Sequence, residues 1–302
     1  MDFFLRSMRG RYDWPRSMFK RALSMTKYLA RCAWMPQRQS AWLAFLYGTD
    51  RMTAFVARDS RLLERPHHLY INRRLSHARR FDIVESHYRY VLAHLPIDLM
   101  DRVLCAGHAS LGHLVLKDGS EVELRLSKPT GRGREGELAL YLLHADGQAL
   151  SSMIFTLADD GRTLLIGCLQ GAAADLGREA VREFTKQAHG MRPKNLLLSM
   201  LYALAERLGT SQVHGISNAA HPFAIHGDKI KADYDSFWQE CQGELLRDGF
   251  YRLPPRESSR DESQVESKHR SAFRKREALR ANACALMVAA VSATDNAVPL
   301  AA

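Results

Sequence analysis

None of the five cysteines, at 32, 105, 168, 241 and 284, forms a CxxC pair, and their wide spacing supports neither a zinc nor a disulfide framework. An odd, dispersed set fits a reducing compartment. No stretch reaches the about 18 apolar residues of a membrane-spanning helix, and the amino terminus lacks the apolar core of a secretory signal. The expectation is a cytoplasmic protein, at most peripheral at the inner membrane. Also missing are a Walker loop, GxSxG, HExxH and a GxGxxG following a strand. The commonest nucleotide-hydrolase, serine-hydrolase and zinc-protease readings fall with them, and no metal site is expected. Acids are scarce in one place: residues 1–80 hold 17 Lys and Arg against 5 Asp and Glu, so the net charge of +10 belongs to the N-terminal quarter. That region therefore suits an anionic membrane surface or, less well, nucleic acid, for which no recognisable module is present. A set of solvated arginines on helical surfaces accounts for the same charge.

What is present divides into three stretches. Residues 1–95 carry helical periodicity between arginines, broken at Pro36, Gly48 and Pro66 and ended by Pro96. Residues 96–255 switch to alternation, with turns at Lys117-Asp118-Gly119, Asp146-Gly147 and Asp159-Asp160-Gly161 that join about five antiparallel strands. Helices follow at 177–188 and 193–208, then a strand at 213–217 that adds parallel after the crossover. An aromatic helix at 233–240 is read as core from the spacing of Tyr234, Phe237 and Trp238, and Phe250 to Leu253 is a last strand. Residues 256–302 hold a polar linker, a basic helix at 268–280 and a frayed end. The fold class is α+β: a helical N-terminal region, then a mixed, mainly antiparallel sheet flanked by helices, then a basic C-terminal helix.

Three constellations carry chemistry. Gly167-Cys168-Leu169-Gln170-Gly171 ends a strand in residues that let a ligand approach the backbone, or that form a bulge. His189-Gly190-Met191-Arg192-Pro193-Lys194-Asn195 opens a buried helix whose free amides and dipole favour an anion. Cations at that end oppose the dipole, so Arg192 and Lys194 call for an anion or a carboxylate. Gln170, Gly171, Gly190, Arg192, Lys194 and Asn195 are thus the candidate residues for a phosphate-bearing donor. Ser217 to His221 leaves the next strand, where Asn218 orients a substrate or caps a turn and His221 serves as a base or lies at the surface. Glu135 and Glu137 flank Gly136 and share a face, a like-charge pair that raises one pKa or a solvated edge.

The run Glu135-Gly136-Glu137-Leu138, Ile166 to Gly171, Thr185-Lys186, Arg192-Pro193-Lys194, Asp233-Tyr234 with Phe237-Trp238, and the basic Lys268-His269-Arg270 with Arg274-Lys275-Arg276 resembles the VirK/YbjX family of Gram-negative bacteria. The resemblance implies a bacterial cytosolic protein linked to virulence, envelope integrity and tolerance of antimicrobial peptides, without a known reaction. The order meander, loop, helix, strand, Asn and closing aromatic segment is also similar to the GNAT acyltransferases, although His189 to Lys194 departs from their loop pattern. That similarity implies an acyl or aminoacyl transferase acting on an amine, with acyl-CoA or aminoacyl-tRNA as donor. Its phosphates would sit on Gly190 to Asn195 and Gln170-Gly171, and Glu135, Glu137 or His221 would be the base. The competing expectation is a non-enzymatic envelope-stress factor that binds anionic lipid or a protein partner.

Overall fold

Alternating apolar residues from position 108 onward pair into one sheet, and the helices on either side of it in sequence supply its cover. The computed structural model describes residues 3–129, 133–173, 176–224, 232–258 and 261–292. The strands are β1 (His108–Val115), β2 (Glu121–Ser127), β3 (Leu138–Leu143), β4 (Ala149–Ala158), β5 (Thr163–Gln170), β6 (Gln212–Ile216), β7 (Glu244–Leu245) and β8 (Phe250–Arg252). They form a mixed eight-stranded sheet in the order β1-β2-β3-β4-β5-β6-β8-β7. Neighbours are antiparallel except β5 and β6, which pair parallel from Thr163↔Gln212 to Ile166↔Gly215. The chain returns for that parallel strand through α7 (Gly177–Gln187) and α8 (Pro193–Leu208). Pro193 at the first helical turn and a left-handed Gly209, whose amide closes on Ala205 and Glu206, delimit α8 as the sequence predicts.

Ahead of the sheet lie α1 (Phe3–Ser7), α2 (Met18–Trp34), α3 (Pro36–Tyr47), α4 (Asp50–Arg58), a 3-10 turn at Ser60–His67, α5 (His77–His94) and α6 (Ile97–Asp101). Much of the basic surplus is committed here. Arg11 is buried between Asp13 and Glu64, Arg31 reaches Glu64 at 2.6 Å, and Arg79 grips Asp159 at 2.7 Å. The helices share one apolar cluster with the sheet, from Trp42 through Leu140 and Phe155 to Val291, while Trp14, Tyr28 and Cys32 form a small separate cluster under α2.

Two elements differ from expectation. β1 starts at His108 rather than near Leu114, because a register shift between Ser110 and Gly112 hides the alternation. The basic C-terminal helix, α10 (Ser267–Ser292), runs past Arg280: Ala283, Met287 and Val291 recur every fourth residue and are buried, so the Ala-rich stretch is its anchor. The positions from 293 onward, expected to fray, lie outside the described residues. Short α9 (Tyr234–Glu240) packs beside β6, with Tyr234, Phe237 and Trp238 all buried as core spacing requires.

Candidate functional site

Pairing between β5 and β6 stops at Ile166↔Gly215, yet β5 continues to Gln170 on β4 alone, so a fork opens between the two parallel strands. Within the fork the β4–β5 register slips between Ile154↔Cys168 and Phe155↔Ile166, leaving Gly167 as the extra residue of a bulge. A Cβ on Gly167 would come 2.0 Å from the Glu135 carbonyl oxygen. Its lack of a side chain lets the loop carrying Glu135 cross β5, and that neighbour is backbone and cannot swing aside. Gly167→Ala is therefore expected to destabilise the protein by at least about 1–3 kcal/mol, measured by denaturant unfolding.

The first polar group sits in this fork. Tyr234 inserts its phenol so that Oη accepts from Leu169 N–H at 3.2 Å and lies 3.5 Å from Cys168 Sγ. A side chain has replaced the strand partner that the Leu169 amide would otherwise seek. Burial, then the neighbouring Cys168, pushes the Tyr234 pKa far up, so the phenol stays protonated. Burial and then Glu135 likewise hold the Cys168 thiol protonated, which removes it as a nucleophile. His221 is buried rather than at the surface, with Nε2 3.2 Å from Glu135 Oε1 and its ring 5.3 Å from that of Tyr234. Its Nδ1 accepts from Phe223 N–H at 3.2 Å, so the proton of the neutral ring is on Nε2, facing Glu135.

A second polar group is buried under α5. Glu137 Oε2 accepts from Tyr88 Oη at 2.7 Å, and its backbone N–H reaches Phe155 O and Thr156 Oγ1. Arg65 Nε stands 3.8 Å from Glu137 Oε1, and its Nη2 donates to Asp59 at 3.3 Å. Tyr70 Oη bonds Thr156 Oγ1 at 3.0 Å. Burial raises the Glu137 pKa against the pull of Arg65; the cause is desolvation and not the like-charge pairing with Glu135 that the sequence suggests. Beside it, His87 accepts from Leu157 N–H through Nδ1, and burial drives its pKa from 6.5 to about 3. The unfolded chain therefore binds this proton first: the stabilisation is full above pH 6.5 and is lost as pH falls toward 3. Replacing His87→Gln, which keeps an acceptor, should flatten the fall of unfolding free energy below pH 6.5 by about 1.4 kcal/mol per pH unit. An unchanged slope in urea titrations between pH 6 and 4 would refute this.

Beyond the fork a recess of about 670 Å³ opens at the start of α8. Gly171, Gly190, Arg192, Lys194 and Asn195 line it together with Leu150, Asp233 and Phe237, while Gln170 is exposed at the adjoining strand end. His189 and Gly190 both take left-handed backbone, at φ 54° and 87°, to turn α7 into α8. Arg192 is the N-cap without a side-chain cap bond, and it donates to Glu240 at 2.6 Å, so a carboxylate meets part of the need for a counter-charge. Lys194 is half-buried, its pKa lowered by burial and then by Arg192, with Nζ 5.8 Å from the Phe237 ring centroid and no carboxylate at ion-pair distance among the described residues. Asn195 Oδ1 is buried without a hydrogen-bond partner. Asn218 lies at the other side of α9, where its Oδ1 accepts from Tyr234 N–H and its Nδ2 donates to Asp233, so it positions the helix that delivers Tyr234.

Tyr234, Tyr88, Tyr70 and Arg65 are not legible in the sequence as site residues. There Tyr234 belongs to a core triplet, and the others come from helical turns and, for Tyr70, the loop after one, far in sequence from the strands they meet. A second, cationic cavity of about 400 Å³ is equally hidden, since Lys27, Arg31, Arg61, Arg65, His68 and Arg134 reach it from three separate segments around Tyr70.

A family model described as a protein of unknown function, DUF535, matches residues 17–287. A relative from Escherichia coli K12, named uncharacterized protein YbjX, is 27% identical over 283 residues, covering 91% of this chain and 86% of the relative. An uncharacterized protein of Haemophilus influenzae is 28% identical over 269 residues, covering 88% and 89%. A Mannheimia haemolytica protein named membrane protein LapB is 28% identical over 152 residues, covering 49% and 63%. No described helix is long and apolar enough to cross a membrane.

Proposed function

This chain belongs to the DUF535 family, the VirK/YbjX proteins, and from that premise we propose that it is a GNAT-like acyl or aminoacyl transferase acting on an amine at the inner face of the bacterial envelope. The observation that carries the reading is the fork between β5 and β6, bulged at Gly167 and filled by Tyr234, with the α8 recess at its mouth. Five antiparallel strands, one parallel pair and a last strand inserted between its two predecessors support the GNAT likeness of the sheet.

The recess suits the phosphates of an acyl-CoA or an aminoacyl-tRNA. Lys194 supplies charge, the uncapped amides at the start of α8 supply donors, and Gly171 and Gly190 keep the walls low. Asp233 and Glu240 line it too, so the attraction is that of a modest cationic surplus with Arg182, Lys186 and Arg192. The donor carbonyl then takes the Leu169 N–H in place of Tyr234 Oη, which polarises it. The amine nitrogen attacks the carbonyl carbon, a C–N bond forms and the C–S or C–O bond to the leaving group breaks. Tyr234 Oη–H protonates the leaving group and regains its proton from the Glu135–His221 pair, which takes it from the amine. Glu137 holds the loop that carries Glu135 through its buried bonds to Tyr88 and Thr156.

Calorimetry with acetyl-CoA, a long-chain acyl-CoA and an aminoacyl-tRNA tests the assignment. One of them should bind, and Lys194→Ala should weaken it about tenfold. If none binds, the transferase reading is lost. The name of the Mannheimia relative, a membrane protein, supports an acceptor at the envelope, as do the virulence and antimicrobial-peptide tolerance that the VirK/YbjX resemblance implies.

A further inference from the structure

Most of the large exposed apolar side chains gather on the first two helices. Met18 is 88% exposed, Phe19 81% and Trp34 78%, and Leu23, Met25 and Leu29 are also open to solvent. On α2 the inward positions are Tyr28 and Cys32, one turn apart, and these six apolar residues occupy the remaining arc at helical spacing. A soluble monomer rarely leaves so continuous a patch bare. The helix holds no acid; Lys20 and Lys27 edge one side of the patch and Arg21 the other, and Arg31 extends the first edge. An apolar groove of about 550 Å³ between α1, α2 and α3 continues the patch, with Phe3, Leu29, Ala33 and Leu43 among its walls.

We infer that α2 is an interfacial helix that lies on an anionic lipid bilayer, with Phe19, Leu23 and Trp34 in the acyl boundary and Lys20, Arg21 and Lys27 at the headgroup phosphates. Charge complementarity selects this occupant. An apolar arc bordered only by cations, on a helix without one carboxylate, matches a surface that is apolar inside and negative at its rim. A second copy of the chain would bring the same cations against each other. The groove beside Leu29 gives acyl chains a depth that a flat helix face lacks. On the far edge, Lys27 and Arg31 also line the cationic cavity that reaches Tyr70, so a headgroup entering from the bilayer meets it first. Docking of this kind is independent of any transfer chemistry.

The test is flotation of the full chain with phosphatidylcholine vesicles with and without phosphatidylglycerol. Binding is expected only with phosphatidylglycerol and should weaken with salt. Trp34 emission should shift to the blue; Trp14, Trp42 and Trp238 are buried, so the change reports this residue. Phe19→Asp with Leu23→Asp should weaken binding about a hundredfold, and Lys20→Glu with Lys27→Glu about tenfold. Both pairs should leave the circular dichroism and unfolding midpoint unchanged, because all four side chains face solvent. Bilayer docking is overturned if the protein ignores anionic vesicles, or if it binds neutral and anionic vesicles equally. It is also overturned if either folded double variant binds as the parent does, or if light scattering shows a dimer that the Phe19/Leu23 variant dissociates.

Discussion

Arg65→Met is expected to lower the unfolding free energy by about 3–5 kcal/mol, the largest stability effect of any single substitution proposed for this protein. The guanidinium is fully buried, and two carboxylates depend on it: Glu137, with Oε1 3.8 Å away, and Asp59, 3.3 Å from Nη2. Asp59 retains Arg61 at 2.7 Å after the substitution, whereas among the described residues Glu137 keeps only neutral donors such as Tyr88. Burial already pushes the Glu137 pKa up, so loss of the cation should protonate this carboxyl in the native state. Two consequences separate this account from simple loss of packing. Glu137→Gln in the Arg65→Met background should restore part of the stability, since the amide carries no charge to desolvate. The stability of Arg65→Met itself should fall more steeply than that of the parent as pH rises above the carboxylate range. A double variant no more stable than the single one would show that the Arg65–Glu137 pairing is not what the fold depends on.

Tyr234→Phe should cut transfer turnover by about 10²–10³-fold while leaving donor affinity within a few-fold. The ring fills the fork and packs against His221 at 5.3 Å, and phenylalanine keeps that packing. What disappears is the one hydroxyl that both accepts from Leu169 N–H and carries a proton beside Cys168. The expected stability loss is about 1 kcal/mol, the net worth of a hydrogen bond. A turnover assay with whichever donor calorimetry identifies, run beside Lys194→Ala, distinguishes the roles. Lys194→Ala should raise KM with little change in kcat, and Tyr234→Phe should do the reverse. If Tyr234→Phe turns over normally, the phenol is a structural plug and the proton must come from elsewhere.

Sheet and site are unequally legible in the amino-acid sequence. Turn residues of the Asp-Gly type announce the meander because short turns permit only antiparallel neighbours, and the helix–strand return after Gly209 announces the parallel β6. The discomfort of cations at the start of α8 is readable too, since a helix dipole is a local property. Its resolution is not: Glu240, which pairs with Arg192, is 48 residues away in α9. Asn218 illustrates the same limit. Its residue type fits substrate orientation and capping equally, and only the position of Asp233 and the Tyr234 amide shows what its bonds are spent on.

Periodicity, turn chemistry and charge act over a few residues, and they are enough for the class of the fold, the order of its strands up to the fork, the cationic start of α8 and the basic N-terminal quarter. Other features arise only when the chain is folded. Leu169 bonds to Tyr234 instead of a strand, Arg65 and Glu137 share one dry centre, and the apolar arc of α2 is left facing solvent. Each depends on which distant segments exclude water from one another, and no local pattern encodes that.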